Sequence, residues 1–430
     1  MTGPAERRPM TRGYAWLVFA LSFGLLLSDY MSRQVLNAVF PLLKAEWLLS
    51  DAQLGTLSGI VALMVGLLTF PLSLLADRWG RVRSLVLAAV VWSLATLGCA
   101  VAASYGQMFL GRFMVGVGEA AYGSVGIAVV LSVFPVTMRA TLSGAFIAGG
   151  AFGSVLGVSI GGVLAELLGW RWTFAVMGLL GLVLAAVYGI VVTERKLTPS
   201  GVERGAAPGT GGPVRALLPR LFSSLSVLCA YVGSGLQMFI AMALLAWMPS
   251  FLDRYYGLAT GKAGLTAGVF ALITGIGMVG GGMVSDRLGR RDPHLKWTVA
   301  VVCSVGSLIL LTFGFQLPPG APQLILVGFG TLLSNATAGP AAAMVASLTP
   351  AAVAATAMAT LTLANSLLGL APGPAVTGLL ADRFGLDTAL RVIPLAALVA
   401  GLAFTLGRRH YDRALRSVSS RPLRTTELST

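Results

Sequence analysis

Repeated apolar runs of about twenty residues constrain this chain more than any other feature. Helical residues rise about 1.5 Å each, so such a run crosses a hydrocarbon layer about 30 Å thick. Only 11% of the 430 residues are charged, and a soluble fold could not cover its surface with so few polar groups. We predict an all-α membrane protein with twelve spans, at 14–43, 54–76, 84–103, 106–134, 140–166, 170–192, 223–252, 264–286, 296–317, 322–348, 352–381 and 388–408.

The composition excludes several other classes of protein. The net charge of +14 comes from basic residues in short loops and at the ends, which is a topology signal and not a basic face for nucleic acid. The three cysteines lie in separate apolar runs, and the two histidines lie in basic segments. Neither spacing matches a metal site, a disulfide or a nucleophile–base pair. We therefore expect no cofactor, no metal, no nucleic-acid partner and no enzyme activity.

The distribution of lysine and arginine predicts orientation. Most of the 30 basic residues fall in alternate loops and at both ends of the chain. The positive-inside rule assigns these segments to the cytoplasm. We predict a multi-pass protein of a bacterial-type inner membrane with both termini cytoplasmic, acting as a monomer. The predicted divisions are a six-helix bundle at 1–192, a linker at 193–222, a second bundle at 223–408 and a tail at 409–430.

The two predicted bundles are copies of one another. The segment ADRWGRVR at 76–83 recurs as SDRLGRR at 285–291, and GVLAELLG at 162–169 recurs as GLLADRFG at 378–385. Parallel repeats of this kind place a substrate site between the halves, near the middle of the membrane.

The DRWGRVR loop and its partner resemble the signature loops of the major facilitator superfamily. The resemblance implies that fold, with twelve helices in two bundles, and a loop that acts as a cytoplasmic gate. The alternative interpretation is that the charges only orient the chain. Ser73 stands where the family's loop usually opens with glycine. The predicted gate residues are Asp77, Arg78, Gly80, Arg81, Asp286, Arg287, Gly289 and Arg290.

A finer resemblance lies in the first half. The stretch RFMVGVGEAAY at 112–122 is similar to the fourth helix of Spinster-like transporters, and WSLAT at 92–96 and GWR at 169–171 also match. The anion:cation symporter group shares a glutamate in helix four and is the second choice. The Spinster resemblance implies proton-linked gating by Arg33, Arg112 and Glu119. Ser32 replaces the group's aspartate, and Asp29 is the nearest acid.

The residues themselves also predict a charged site. Asp29, Arg33, Arg112 and Glu119 lie well inside apolar runs, where each costs at least about 2.5–3.5 kcal/mol on insertion scales. By helical rise, the two acids lie near mid-membrane, on the first and the fourth span. We interpret all four as a proton-coupling group facing a central cavity. The alternative is a static cluster of ion pairs, although such clusters contribute little net stability.

The second half keeps polarity at the matching positions but loses the charge. Glu119 aligns with Asn335 and Asp29 aligns with Gln237. Amides there can hydrogen-bond a substrate or join helices, and the sequence leaves both open. The substrate-binding candidates are Gln237, Asn335, Thr337 and Asn365, with Tyr30, Asn37, Tyr122 and Trp247 as weaker ones.

These features predict a secondary active transporter. We expect it to be proton-coupled and to move a small organic anion or amphipathic metabolite by alternating access, since two arginines can attract a carboxylate or phosphate. The first alternative is a drug or lipid exporter of the same fold, working as a proton antiporter. The second is a membrane sensor without transport, for which no signalling domain is visible.

Overall fold

A computed structural model describes residues 12–120, 122–135, 138–194, 224–349 and 354–419. Eleven helices in these ranges are long and apolar enough to cross a membrane. A further pass is divided into two shorter helices, Tyr105–Glu119 and Tyr122–Val133, which match the predicted span at 106–134. The predicted all-α membrane architecture is confirmed within the described ranges. Most of the predicted linker at 193–222 and the end of the tail lie outside them.

The first bundle has six passes, here called helices 1 to 6. Ser50 caps helix 2 by a reciprocal capping box with Gln53, which explains why that helix begins at Asp51. The bounds are Arg12–Ala38 with a short extension Phe40–Trp47 (helix 1), Asp51–Trp79 (helix 2), Arg81–Ala100 (helix 3), Tyr105–Glu119 and Tyr122–Val133 (helix 4), Arg139–Leu168 (helix 5) and Trp170–Val191 (helix 6).

The second bundle repeats this order as helices 7 to 12. Helix 12 continues past the predicted end at 408 to Ser419. The bounds are Leu225–Tyr256 (helix 7), Thr260–Gly289 (helix 8), His294–Gly314 (helix 9), Ala321–Asn335 and Ala338–Ser347 (helix 10), Ala354–Asn365, a π-helical turn Ser366–Leu370 and Pro372–Phe384 (helix 11), and Leu386–Val392 and Leu395–Ser419 (helix 12).

Helices 4 and 10 are interrupted at equivalent places, whereas the sequence predicts a continuous span for each. The first part of helix 4 ends at Glu119, and the first part of helix 10 ends at Asn335. Pro340 lacks the N–H that would bond the carbonyl of Ala336, which favours the break in helix 10. Gly116 and Gly118 weaken the corresponding part of helix 4. Interrupted helices at mid-membrane are a common feature of transport sites.

The hydrophobic core is shared by the bundles in one half of the protein and split in the other. On the face remote from the described ends Arg12 and Ser419, one apolar cluster contains residues of both bundles, with Phe40 packed on Trp247 at 5.2 Å between ring centroids. On the face that carries those ends, each bundle has its own cluster. The protein is therefore closed on the face remote from its ends, here called the outer face, and divided on the other, here called the inner face.

Helix 5 crosses helix 8 and helix 2 crosses helix 11, and both crossings join the bundles. A Cβ on Gly264 of helix 8 would lie 2.8 Å from the carbonyl oxygen of Val158. In the equivalent crossing, a Cβ on Gly55 of helix 2 would collide with the carbonyl oxygen of Pro374. Glycine at these positions lets two backbones come into direct contact.

Gly264→Val is expected to destabilise the closed form by about 1–3 kcal/mol, because the added side chain forces helices 5 and 8 apart. The thermal unfolding midpoint in detergent should fall. Gly98→Val is the matched control, since a Cβ at Gly98 of helix 3 meets no atom within 4 Å. An equal fall in both variants would show that the crossing contributes nothing.

Candidate functional site

The buried charges of the first bundle meet where helix 1 crosses helix 4. Arg33 Nε donates a hydrogen bond to Glu119 Oε2 at 2.9 Å, and Arg33 Nη2 donates to the same oxygen. The Glu119 side chain is fully buried, whereas 16% of the Arg33 side chain is exposed. Arg33 therefore joins a fully buried carboxylate to a side chain that is partly exposed.

Asp29 brings a second carboxyl group to Glu119. The two carboxyl groups lie within electrostatic reach of each other. Asp29 Oδ1 and Glu119 Oε1 are both buried without a hydrogen-bond partner. Two carboxyl groups so placed can share a proton, because like charges in low dielectric repel strongly unless one is neutralised. The site thus holds two carboxyl groups beside one arginine.

Arg112 is fully buried, and its guanidinium hydrogen-bonds to backbone carbonyl oxygens and not to a carboxylate. Its guanidinium donates to the carbonyl oxygens of Ser32 at 3.1 Å and Arg33 at 3.0 Å. Arg112 therefore fastens helix 4 to helix 1 at the residue that bonds Glu119. Its charge also lies within the electrostatic reach of Glu119.

The matching positions of the second bundle form a polar cluster without charge. The hydroxyl of Ser334 donates to Gln237 Oε1 at 2.8 Å, and the hydroxyl of Thr337 donates to the Ser334 carbonyl at 2.8 Å. Asn335 Nδ2 donates to the Thr331 carbonyl at 3.0 Å. Gln237 Nε2 remains buried without an acceptor. Sequence reasoning missed Ser334, although its position next to Asn335 was the available signal.

Tyr30 and Asn365 are two further substrate-binding candidates, and both residues are only partly buried. The Arg33 guanidinium lies 5.4 Å from the centre of the Tyr30 ring. Asn365 precedes the π-helical turn Ser366–Leu370, and its Oδ1 is buried without a donor. Such turns often mark functional positions in a helix.

The structure places the remaining three candidates in packing positions. Asn37 donates to Gln34 Oε1 at 2.7 Å, and Trp247 donates from its indole to the Pro374 carbonyl at 3.0 Å. Tyr122 donates to the Ser22 carbonyl and packs edge-on against Trp92. All three are buried, although Trp247 also packs on Phe40 of the first bundle and Asn37 Oδ1 has no hydrogen-bond partner.

The two polar clusters lie at the same depth, at the apex of the opening between the bundles. On helix 1, Leu26 belongs to the first bundle's own core and Met31 to the shared core, with Asp29 between them. On helix 7, Tyr231 and Ile240 bracket Gln237 in the same way. At this depth Arg33 is part-exposed on the first bundle, whereas Gln237 and Asn335 are buried in the second.

The predicted gate loops lie on the inner face, apart from one another. Glu194, at the start of the linker, accepts from the backbone N–H groups of Arg81 and Val82 and so caps helix 3. Gly80 has a φ of 99°, which favours glycine. Gly289 is half-buried, and the side chain of Asp77 lies outside the described part. The exposed gate residues are Arg78, Arg81, Asp286, Arg287 and Arg290.

Ionic contacts between bundles lie on the outer face, and the sequence did not reveal them. Asp51 at the start of helix 2 pairs with Arg254 of helix 7, with nitrogen–oxygen distances of 2.6 and 2.8 Å. Lys44 of the first bundle also binds Asp51, at 2.5 Å. These contacts could not be predicted, because sequence spacing carries no information on contacts between bundles.

Comparison with known families decides what kind of protein this is. Residues 22–372 match the model of the Major Facilitator Superfamily. The chain belongs to the Major Facilitator Superfamily. This match confirms the predicted superfamily and fold class. The chain is a membrane transporter of this family and not an enzyme, as predicted.

Three curated relatives show the breadth of the superfamily around this chain. A hexuronate transporter of Bacillus subtilis is 25% identical over 70% of this chain and 72% of its own length. An MFS-type efflux pump of Mycolicibacterium smegmatis is 26% identical over 94% and 93%. The rat protein spinster homolog 1 is 26% identical over 87% and 74%, which agrees with the predicted Spinster resemblance.

A solved structure matches nearly the whole fold. It is a bacterial homolog of the human lysosomal transporter Spinster in an inward-facing and unoccupied conformation. The TM-score is 0.85 at 21% identity, over 94% of this chain and 99% of that one. The likeness confirms the major facilitator fold of the two bundles.

Proposed function

We propose that this chain is a secondary active transporter that couples a small organic anion to protons by alternating access. The observation that carries the proposal is the Arg33–Glu119 ion pair. Its arginine is part-exposed, and its glutamate lies within electrostatic reach of the Asp29 carboxyl group. A cationic group for the substrate and an acidic pair for the proton are thus one connected unit.

The connection gives a physical mechanism for coupling. While Glu119 is ionised, its carboxylate occupies the donors of Arg33. Protonation of the Asp29–Glu119 pair weakens that contact and frees the guanidinium for a carboxylate of the substrate, which it can bind through two hydrogen bonds. By linkage, the bound anion raises the affinity for the proton by the same factor. Loading of the two ligands is therefore cooperative.

The lining favours an anion with hydroxyl groups. Arg33 supplies the positive charge, the Tyr30 ring lies beside it, and Gln237 Nε2 of the opposite bundle is a buried donor without an acceptor. A relative is named a hexuronate transporter, and a hexuronate carries one carboxylate and several hydroxyls. We assign this chemical class to the site.

The remaining elements of the proposal concern the transport cycle. The divided inner face and the closed outer face correspond to an inward-open state, with both termini cytoplasmic in a bacterial-type inner membrane. The loops at 77–81 and 286–290 would then meet to close the inner face in the opposite state. Each chain contains the full set of site residues, which supports a monomer as the working unit.

Reconstitution in proteoliposomes tests the proposal. With a pH gradient that is acid outside, purified protein is expected to accumulate hexuronates or aldonates several-fold, and a protonophore should collapse the accumulation. The set of test substrates should also contain an aromatic acid, a lysolipid and a cationic dye.

Two outcomes would contradict the assignment. Proton-driven export of the dye or the lysolipid, with no uptake of any anion, would favour an exporter, the activity in the name of the mycobacterial relative. Anion uptake that ignores the pH gradient would refute proton coupling.

A further inference from the structure

Two carboxylates on the outer face bind helix ends of the opposite bundle. Glu166, near the end of helix 5, accepts from the backbone N–H of Gly261 at 2.6 Å, on helix 8. Asp382, near the end of helix 11, accepts from the N–H groups of Asp51 at 2.7 Å and Ala52 at 2.9 Å, on helix 2. Neither carboxylate belongs to the charged site or the gate loops.

The two contacts are copies of one another. Glu166 and Asp382 occupy the same place in the repeated segments 162–169 and 378–385. Gly261 and Ala52 are each the second residue of their helices, Thr260–Gly289 and Asp51–Trp79. The repeat therefore preserves an acidic side chain that reaches across to the other bundle, which explains a motif that neither coupling nor gating uses.

The chemistry suits a reversible closure. The first N–H groups of a helix have no intrahelical partner and carry partial positive charge, so a carboxylate there is stabilising. Glu166 and Asp382 are exposed, while Gly261 and Asp51 are buried. If the bundles part, water replaces the carboxylates at these N–H groups. Each contact thus favours closure by a modest amount and does not prevent opening.

We propose that Glu166 and Asp382 are twin latches that position the bundles for closure of the outer face. The proposal rests on alternating access in the proposed function, but on no particular substrate or ion. The helix 2 side has an additional ion pair of Asp51 with Arg254, whereas Thr260 occupies the position of Asp51 on the helix 8 side. Glu166 therefore acts alone at its crossing among the polar contacts between bundles in the described residues.

The test measures the distance across the outer face in the absence of substrate and pH gradient. Spin labels at Val101→Cys in the first bundle and Gln316→Cys in the second would report it, because both positions are exposed on that face. The native cysteines are buried and would be replaced by alanine. Pulsed electron paramagnetic resonance then gives the ratio of long to short distances between the two spin labels.

Glu166→Ala is expected to raise this ratio about fivefold, and Glu166→Ala with Asp382→Ala by up to about 25-fold, since a helix cap is typically worth a factor of about five. Glu166→Gln should give a smaller change, because its amide oxygen still accepts a hydrogen bond. Unfolding midpoints close to that of the parent would show that the variants are folded.

The matched control is Glu46→Ala. Glu46 is also an outer-face carboxylate, but it accepts from Trp170 and Arg171 of its own bundle. The hydrogen bond from the Trp170 indole holds the pKa of Glu46 below its usual value. An unchanged distance distribution in the double variant, or an equal change in Glu46→Ala, would overturn the proposal. A positive result without anion uptake would refute the proposed substrate and leave the latches standing.

Discussion

Glu119→Gln is expected to lower proton-driven accumulation of substrate by at least about 100-fold, to the level of simple equilibration. The amide is almost isosteric with a protonated carboxyl, so Arg33 stays free to bind the anion. What disappears is the exchange of a proton at the buried pair with Asp29, which lies within electrostatic reach. Counterflow exchange of labelled for unlabelled substrate should therefore survive.

The measurement compares uptake under an imposed pH gradient with exchange at equal pH, in proteoliposomes of equal protein content. Glu46→Gln is the control, because it makes the same chemical change at an outer-face carboxylate bound within one bundle. That control should accumulate substrate like the parent protein. Gradient-driven accumulation that persists in Glu119→Gln would show that coupling does not run through this residue.

Arg33→Ala is expected to weaken binding of the anion by about 100-fold or more, because two charge-assisted hydrogen bonds of about 1.5–3 kcal/mol each are lost. The substitution also leaves Glu119 without its ion-pair partner. Arg33→Lys should restore only part of the affinity, since an ammonium group cannot bind a carboxylate in the planar two-bond arrangement. Isothermal titration against the best of the test substrates gives the dissociation constants directly.

Arg112→Ala provides the contrast within the same site. Arg112 is fully buried and bonds the backbone of helix 1, so its loss is expected to lower the unfolding midpoint. Arg33 is part-exposed, so its loss should affect binding more than stability. Arg171→Ala, at an exposed pair on the outer face, should change neither quantity strongly. Equal binding by Arg33→Ala and the parent would remove Arg33 from the substrate site.

Much of the architecture was accessible from the sequence because it depends on local patterns. The apolar runs predicted the passes, since a membrane segment must satisfy its own backbone hydrogen bonds. The repeats 76–83 with 285–291 and 162–169 with 378–385 predicted two equivalent bundles. The positions of Asp29 and Glu119 in apolar runs indicated where chemistry would be concentrated, because a buried charge is expensive without a partner.

The pairings within the site could not be read from the chain. Spacing along helix 1 permitted an Asp29–Arg33 pair, yet Arg33 bonds Glu119 on helix 4. Arg112 proved to bind backbone, and the break after Glu119 was not foreseen. The coupling, substrate and gate roles of these residues remain predictions until the variants are measured.

The sequence by itself determined how many times this chain crosses the membrane, that its halves are equivalent, and which residues are too costly to bury without a reason. Only the tertiary structure decided which face is closed and which carboxylates hold it, because contacts between bundles join positions such as Glu166 and Gly261 that are distant in the chain. Hydropathy and periodicity describe one helix at a time, whereas the distance between two side chains on different helices is set by packing.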